Sequence, residues 1–264
     1  MTLSPKTSSE STTAPGSTNF VPSSVVKVTR WSNVLYSLHI KLPQPLSFIP
    51  GQYTKLAAEI KGELIARPYS IASAPDEDLL EFFLVLVDDG PLSHHLYALT
   101  PGDEILVETR AYGFLILEET PQVENMWLLA TGTGIAPFLS MLREGSIFIR
   151  HKRVVLAQSV RYAGDLAYAE ELAALRQRQQ NFYYVPLVSR GQATDSILAG
   201  RITQALENGA LEAKTQLQFS IERSHLMLCG NPQMVEDTMT LLKERGMRRH
   251  RRRASGQVTL EKFW

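Results

Sequence analysis

The hydrophobic pattern of the chain changes once, near residue 118, and this change limits the possible folds more than any other feature. Before residue 118, short apolar runs are separated by turn signals such as Pro50-Gly51 and Asp89-Gly90. After it, apolar runs of strand length alternate with longer segments whose apolar residues recur at helical spacing. Because 264 residues are many for one core, the two patterns predict two domains.

The first half of the chain is predicted to be β structure. Six short strands and one short helix, at residues 93–99, are expected, and no long helical pattern interrupts them. This set favours a small antiparallel β-barrel at residues 25–118. Residues 1–24 are mostly Ser, Thr, Pro and Gly, so they are predicted to form a disordered tail. The predicted strands cover residues 25–28, 34–40, 53–57, 64–70, 80–87 and 105–108.

The second half, residues 119–264, is predicted to be an α/β domain. Alternating strands and helices indicate a parallel sheet with right-handed crossovers, as in Rossmann-like folds. The fold class is therefore predicted to be a β-barrel followed by a parallel-sheet α/β domain. The predicted strands cover residues 126–130, 154–158, 183–188 and 226–229, and the predicted helices cover 136–143, 165–179, 201–207 and 232–244.

Composition excludes several classes of protein. Lys plus Arg and Asp plus Glu number 27 each, which argues against a nucleic-acid binder with a strong overall positive field. The single cysteine, Cys229, excludes an intrachain disulfide and a four-cysteine metal site, and it favours a reducing compartment. No apolar run approaches the roughly 18–20 residues of a membrane span. A cytoplasmic protein with no metal and no membrane partner is expected.

The segment RPYSIAS, residues 67–73, ends a predicted strand and is the first candidate binding motif. Arg67 can pair with an anionic oxygen, Tyr69 offers a flat face, and the serine hydroxyls can donate hydrogen bonds. This set suits a planar cofactor that carries phosphate. The alternative is an edge strand with an ordinary surface arginine.

Two further motifs follow predicted strands of the second half. The segment TGTGIAP, residues 131–137, lies between a strand and a helix, where glycines let the backbone approach a pyrophosphate. Pro137 stands where the third glycine of the full fingerprint would be, so a simple tight turn is the alternative. The segment CGNPQM, residues 229–234, follows the last predicted strand. For Cys229 the alternative to a site role is a small buried apolar residue.

These three motifs, in this order, resemble the ferredoxin–NADP⁺ reductase family, and the similarity extends over residues 25–264. The terminal Phe263-Trp264 resembles the ending of the bacterial subclass. The resemblance implies FAD, NADP(H), hydride transfer between them, and single-electron exchange with ferredoxin or flavodoxin. Three alternatives remain: a flavin reductase or oxygenase reductase component, a non-catalytic binding module, and a nucleic-acid-binding protein.

The resemblance also implies individual roles. The candidate residues at the reacting centre are Tyr69, Ser70, Cys229 and Trp264. Candidate FAD contacts are Arg67, Tyr69, Ser70, Ile71, Ala72, Ser73, Ser93, Gly113, Phe114, Thr133, Phe263 and Trp264. The candidate nicotinamide-nucleotide turn is Thr131, Gly132, Thr133 and Gly134. The terminal aromatic pair is expected to cover the flavin ring and the adenine, with core packing as the alternative.

Two groups of basic residues complete the prediction. Arg161, Arg190 and Arg201 each follow a strand or turn of the second half, matching the family's clamp for the 2′-phosphate of NADPH, although each can also be a solvated surface charge. Residues 243–253 contain seven basic residues and one acidic residue. A solvated helix end is one interpretation of this run. The resemblance implies that a monomer docks an acidic ferredoxin or flavodoxin on Arg248, Arg249, Arg251, Arg252 and Arg253.

Overall fold

The computed structural model, which describes residues 19–262, has an antiparallel sheet in its first half and a parallel sheet in its second. The antiparallel sheet contains six strands. One helix, α1 (Pro91–Ala98), lies between its fifth and sixth strands in the chain. The strands are β1 (Phe20–Arg30), β2 (Leu35–Lys41), β3 (Tyr53–Ile60), β4 (Glu63–Ser70), β5 (Leu80–Val85) and β6 (Glu104–Glu108).

The antiparallel sheet is curled into the barrel-like form that the sequence predicts. Its strand order is β4-β3-β6-β1-β2-β5, and a bridge between Ile71 and Phe82 brings the two edges together. Alternate side chains of each strand, among them Leu38 and Val107, point into one apolar core. The predicted antiparallel architecture is confirmed.

Strand β1 begins at Phe20, so the prediction that the tail extends to residue 24 is wrong. Residues 20–24 pair with β6, from Phe20 opposite Glu108 to Ser24 opposite Glu104. Backbone hydrogen bonds, rather than apolar side chains, hold this stretch, and Ser23 is buried within it. A segment of this kind gives no alternating hydrophobic signal.

The second half forms a parallel sheet, as predicted. It has six strands, two more than predicted, in the order β10-β9-β8-β7-β11-β12. Because all its strands are parallel, their carboxyl ends share one edge. The strands are β7 (Asn125–Thr131), β8 (Arg153–Val160), β9 (Phe182–Val188), β10 (Leu198–Ala199), β11 (Ser224–Gly230) and β12 (Val258–Lys262). The helices are α2 (Ala136–Glu144), α3 (Ser146–Arg150), α4 (Ala169–Arg178), α5 (Ile202–Glu207), α6 (Ala210–Thr215) and α7 (Pro232–Glu244).

Several details of the second half differ from the prediction. The helix predicted at residues 165–179 begins at Ala169, because Tyr168 adopts a left-handed backbone conformation with φ of 63°. A separate 3-10 turn, Ala163–Asp165, precedes it. The short elements α3, α6 and β10 have too few residues for a clear periodic signal and were not predicted. Strand β12 was not predicted either.

One apolar cluster connects the two sheets. It contains Leu35, Phe83 and Leu115 of the first half together with Met126 and Phe138 of the second. The predicted boundary at residue 118 lies in a 3-10 turn, Leu117–Glu119, between the last strand of one sheet and the first strand of the other. Within residues 19–262, no helix is long and apolar enough to cross a membrane.

Candidate functional site

A cleft of about 570 Å³ lies where the two halves meet. The first half contributes β4, β5 and the start of α1 to its walls. The second half contributes Thr133, Ala136, Glu261 and Lys262. The cleft therefore joins the carboxyl edge of the parallel sheet, where such sheets bind ligands, to one end of the barrel.

Four residues of the first motif line this cleft: Arg67, Pro68, Tyr69 and Ser70. Burial raises the pKa of the Tyr69 hydroxyl to about 12, so this group stays protonated at neutral pH. The Ser70 hydroxyl is buried and has no hydrogen-bond partner among residues 19–262. A buried hydroxyl without a partner is costly, so the wall is suited to a ligand that supplies one.

Residues 71–73 lie behind the wall of the cleft. The Ile71 N–H donates to the Gln52 carbonyl at 3.1 Å. The Ala72 carbonyl accepts from Arg143 at 3.0 Å, and the Ser73 carbonyl accepts from the Ser140 hydroxyl at 2.7 Å. These backbone groups are bonded within the protein, and direct FAD contacts for Ile71, Ala72 and Ser73 remain predictions.

The N-terminus of α1 forms another part of the wall, with Gly90 and Pro91 both lining it. Within the described chain no side chain caps this helix, so its first N–H groups are available to an anion. The Ser93 hydroxyl, which also lines the cleft, accepts from the Val87 N–H at 2.7 Å and fixes the preceding loop.

Gly113 lies next to Tyr53, which lines the cleft, and Phe114 follows Gly113 in the chain. Gly113 has φ of +114°, and a Cβ there would lie 3.3 Å from the Tyr53 ring. Phe114 is 62% exposed. Its ring centroid lies 4.2 Å from the guanidinium carbon of Arg252.

The second and third motifs contact each other at the carboxyl edge of the sheet. A Cβ on Gly134 would lie 2.4 Å from the Cys229 carbonyl oxygen, so only glycine allows this approach. The Thr131 hydroxyl accepts from the Asn231 N–H at 2.9 Å. Gly132 has φ of +53° and begins the turn that carries Thr133 to the cleft.

Cys229 is fully buried in the apolar cluster that spans the two halves. Burial raises the pKa of its thiol well above the usual value, so it stays protonated. The structure favours the alternative reading of this cysteine as a small apolar core residue. A role at the reacting centre remains a prediction.

The three arginines predicted to bind a 2′-phosphate lie at the carboxyl edge. The Arg190 N–H donates to the Arg161 carbonyl at 2.8 Å, so these two residues are adjacent. Arg201 follows the neighbouring strand β10 and precedes α5. All three are exposed, and in the described part of the chain no carboxylate lies within 4.0 Å of their guanidinium groups.

Glu261 and Lys262 line the cleft but were not among the predicted site residues. They end β12, which pairs with β11 so that Glu261 lies opposite Cys229. Burial raises the pKa of the Glu261 carboxyl group to about 7. The alternating segment VTLEK, residues 258–262, is the signal that could have located them. The predicted aromatic contacts, Phe263 and Trp264, lie outside the described residues.

The basic run is a loop and not a helix end, because α7 ends at Glu244. We call residues 247–254, between α7 and β12, the arginine loop. Arg252 of this loop pairs with Glu119 at 2.6 Å and also covers Phe114. The other candidate docking residues are exposed: Arg248, Arg249, Arg251 and Arg253.

Comparison with known proteins agrees with this geometry. The family described as Oxidoreductase FAD-binding domain matches residues 22–112, and the family described as Oxidoreductase NAD-binding domain matches residues 128–240. The flavodoxin/ferredoxin–NADP reductase of Escherichia coli is 45% identical over 220 residues, which are 83% of this chain and 88% of that protein. This chain belongs to the flavodoxin/ferredoxin–NADP reductase family.

Other members of the reductase family match over similar lengths. Ferredoxin–NADP reductase A of Sorangium cellulosum is 35% identical over 254 residues, 92% of this chain and 90% of that protein. Among solved structures, a ferredoxin NADP⁺ reductase from Neisseria gonorrhoeae with bound FAD and NADP superposes with a TM-score of 0.89 at 35% identity. The match covers 93% of this chain and 99% of that one. The family resemblance drawn from the three motifs is confirmed.

Proposed function

We propose that this chain is an FAD-dependent reductase that takes hydride from NADPH and passes electrons singly to ferredoxin or flavodoxin. The observation that carries the proposal is the shared cleft, to which both halves bring residues of their motifs. The names of relatives at 35% to 45% identity favour this function over that of a flavin reductase or an oxygenase component.

The first half fits a flavin. Arg67 would pair with the pyrophosphate, Tyr69 would lie against a ring face, and the Ser70 hydroxyl would gain the partner it lacks. The N-terminus of α1 suits a phosphate oxygen. When bound, FAD supplies a ring that exchanges hydride with NADPH and electrons with a one-electron carrier.

The second half fits NADPH. Thr131, Gly132, Thr133 and Gly134 would hold the pyrophosphate at the start of the helical segment that leads into α2. The 2′-phosphate would bind Arg161, Arg190 and Arg201, since exposed guanidinium groups at one corner of the sheet suit a dianion. Excluding water and orienting the nicotinamide are then the protein's main tasks.

Strand β12 contributes to the same cleft through Glu261 and Lys262. With a pKa of about 7, Glu261 can hold or release a proton at its carboxylate near neutral pH. We also propose that Phe263 and Trp264, which follow Lys262 in the chain, cover the cofactor.

The direct test is an anaerobic titration of the purified protein with NADPH and, separately, with NADH, following the visible flavin band. At equal protein concentration, we expect much less NADPH than NADH to be needed to bleach the flavin band. Equal bleaching by both would keep the flavoenzyme and reject the NADP assignment. A protein that binds no flavin would overturn the proposed function and support a non-catalytic binding module.

The arginine loop is the proposed docking surface for an acidic one-electron partner. Changing Arg248, Arg249, Arg251 and Arg252 to Ala should slow electron transfer to ferredoxin or flavodoxin by about tenfold or more at low salt. The rate of flavin reduction by NADPH should not change. Stopped-flow measurements at rising ionic strength check this, because added salt should remove most of the difference.

The control for this surface is Arg176→Ala with Arg178→Ala, which removes two positive charges where the test variant removes four. Both arginines are exposed near the end of α4, away from the residues that line the cleft. This variant should keep the partner rate and its salt dependence. An equal loss per charge removed in the two variants would mean that overall charge, and not the arginine loop, steers the partner.

A further inference from the structure

A buried ionic cluster connects the two halves beside the cleft. At its centre is Glu81 of β5, which is only 3% exposed. Its carboxylate accepts from Arg143 of α2 at 2.6 Å and from the Tyr168 hydroxyl at 2.7 Å. Glu81 belongs to the barrel, whereas Arg143 and Tyr168 belong to the α/β half.

The Arg143 guanidinium group bonds to both halves at once. Its Nε and Nη2 donate to the two carboxylate oxygens of Glu171 in α4, at 2.7 and 2.8 Å. Its Nη1 donates to Glu81 and also to the Ala72 carbonyl, at 3.0 Å. A planar guanidinium group with this many partners fixes both the distance and the relative orientation of the two halves.

Tyr168 is held in a strained conformation at the same junction. Its φ of 63° is rare for a large aromatic residue and persists only where the surroundings fix it. Its hydroxyl also contacts the Ser37 hydroxyl of β2 at 2.5 Å. Its ring packs on Trp31, with centroids 4.5 Å apart, and on Phe83, with centroids 5.2 Å apart.

The cluster joins helix α2, which follows the proposed nucleotide turn, to the last residues of the RPYSIAS motif. Helix α2 follows the nucleotide turn, and its first residue, Ala136, lines the cleft. One turn before Arg143, the Ser140 hydroxyl donates to the Ser73 carbonyl at 2.7 Å. The helix that starts after the nucleotide turn is thus bonded twice to the end of the RPYSIAS motif, at Ala72 and Ser73.

We infer that Arg143, Glu81 and Tyr168 are positioning residues that set the angle between the two halves and thereby the placement of the nicotinamide against the flavin. This inference rests on the proposed function. Net stability alone is a weak reason for such a cluster, because desolvation of buried charges offsets most of their attraction. Orientation is a stronger reason, because a misplacement of about 1 Å between reacting groups can cost about 100-fold in rate.

Two conservative variants test the inference. Arg143→Lys keeps the positive charge but loses the planar set of N–H donors. Tyr168→Phe removes only the hydroxyl. In stopped-flow experiments with the FAD-loaded enzyme, both should lower the limiting rate of flavin reduction by about 10- to 100-fold. The NADPH dissociation constant should change by less than about threefold, since no proposed NADPH contact is altered.

The second measurement does not depend on turnover. Amide hydrogen exchange of the FAD-loaded proteins should be at least about tenfold faster in α2 and in residues 71–73 of both variants, because bonds between the halves are lost. The control is Arg153→Lys, whose guanidinium group binds Asn125 at 3.2 Å within the α/β half. It should leave the limiting rate and the exchange of both segments unchanged.

Unchanged limiting rates and exchange in Tyr168→Phe and Arg143→Lys would overturn the inference. If Arg143→Lys fails to fold, Tyr168→Phe decides, because it keeps the ring and its packing. A wild-type protein that NADPH does not reduce would reject the proposed function instead. The exchange measurement would then still show whether the cluster holds the halves together.

Discussion

Changing Arg161, Arg190 and Arg201 together to Gln is expected to raise the NADPH dissociation constant by about 1000-fold. A hydrogen bond between charged groups contributes about 1.5–3 kcal/mol, and each 1.4 kcal/mol is a factor of ten, so three losses reach this size even with partial compensation. NADH lacks the 2′-phosphate, so its dissociation constant should change by less than about threefold. Titrating each nucleotide against the flavin band measures both values.

The control for this experiment removes the same number of charges from the opposite edge of the sheet. These charges lie at the amino ends of two strands. Lys152 precedes β8, Arg153 begins β8, and Arg223 precedes β11. Their change to Gln should leave NADPH binding within about twofold of the wild type. If the triple change of Arg161, Arg190 and Arg201 and this control weaken NADPH binding equally, long-range charge explains the preference for NADPH over NADH. A local phosphate site would then be rejected.

Gly134→Ala is expected to destabilise the protein by about 3 kcal/mol, which corresponds to a melting temperature about 10 °C lower. The added Cβ would lie 2.4 Å from the Cys229 carbonyl oxygen and 2.7 Å from the Gly230 Cα. Both neighbours are backbone atoms of a central strand, so neither can rotate away. Relief would have to come from shifting the nucleotide turn, and NADPH binding should weaken as well.

The matched control is Gly164→Ala. A Cβ at Gly164 would meet no atom within 4 Å, and its φ lies outside the left-handed region. Its melting temperature should therefore equal or slightly exceed that of the wild type. Thermal denaturation of the FAD-loaded proteins compares the two variants. An equal melting temperature for Gly134→Ala and the wild type would mean that the turn moves freely away from β11.

The sequence predicted those parts of the fold that have a local cause. Helix α7 has the predicted bounds because Pro232 begins it and the Asn231 side chain caps it, accepting from the Gln233 N–H at 2.9 Å. Strand β12 was missed because it follows the arginine loop and gains its position only by pairing with β11. The start of β1 was misplaced for a similar reason, since its partner strand β6 lies far along the chain.

The residues of the candidate site also fall into two groups, those that local sequence motifs predict and those that only the fold brings together. Arg67, Tyr69, Ser70 and Thr133 belong to continuous motifs, and the fold brings all four to one cleft. The pair of Glu81 and Arg143 joins residues 62 positions apart, and neither belongs to a motif. Glu261 looks like an ordinary surface acid in the sequence, and only the burial of β12 against the cleft raises its pKa.

The apolar cluster that spans both sheets has a consequence for how this architecture can be recombined. Phe83 and Leu115 of the barrel are covered by Met126 and Phe138 of the α/β half. A cut near residue 118 would expose these side chains on both pieces, and exposed apolar patches promote association. Neither half is therefore an interchangeable module. A chimera that exchanges the nucleotide half for that of another reductase would have to carry over a complementary surface, side chain by side chain, along with the cofactor motifs.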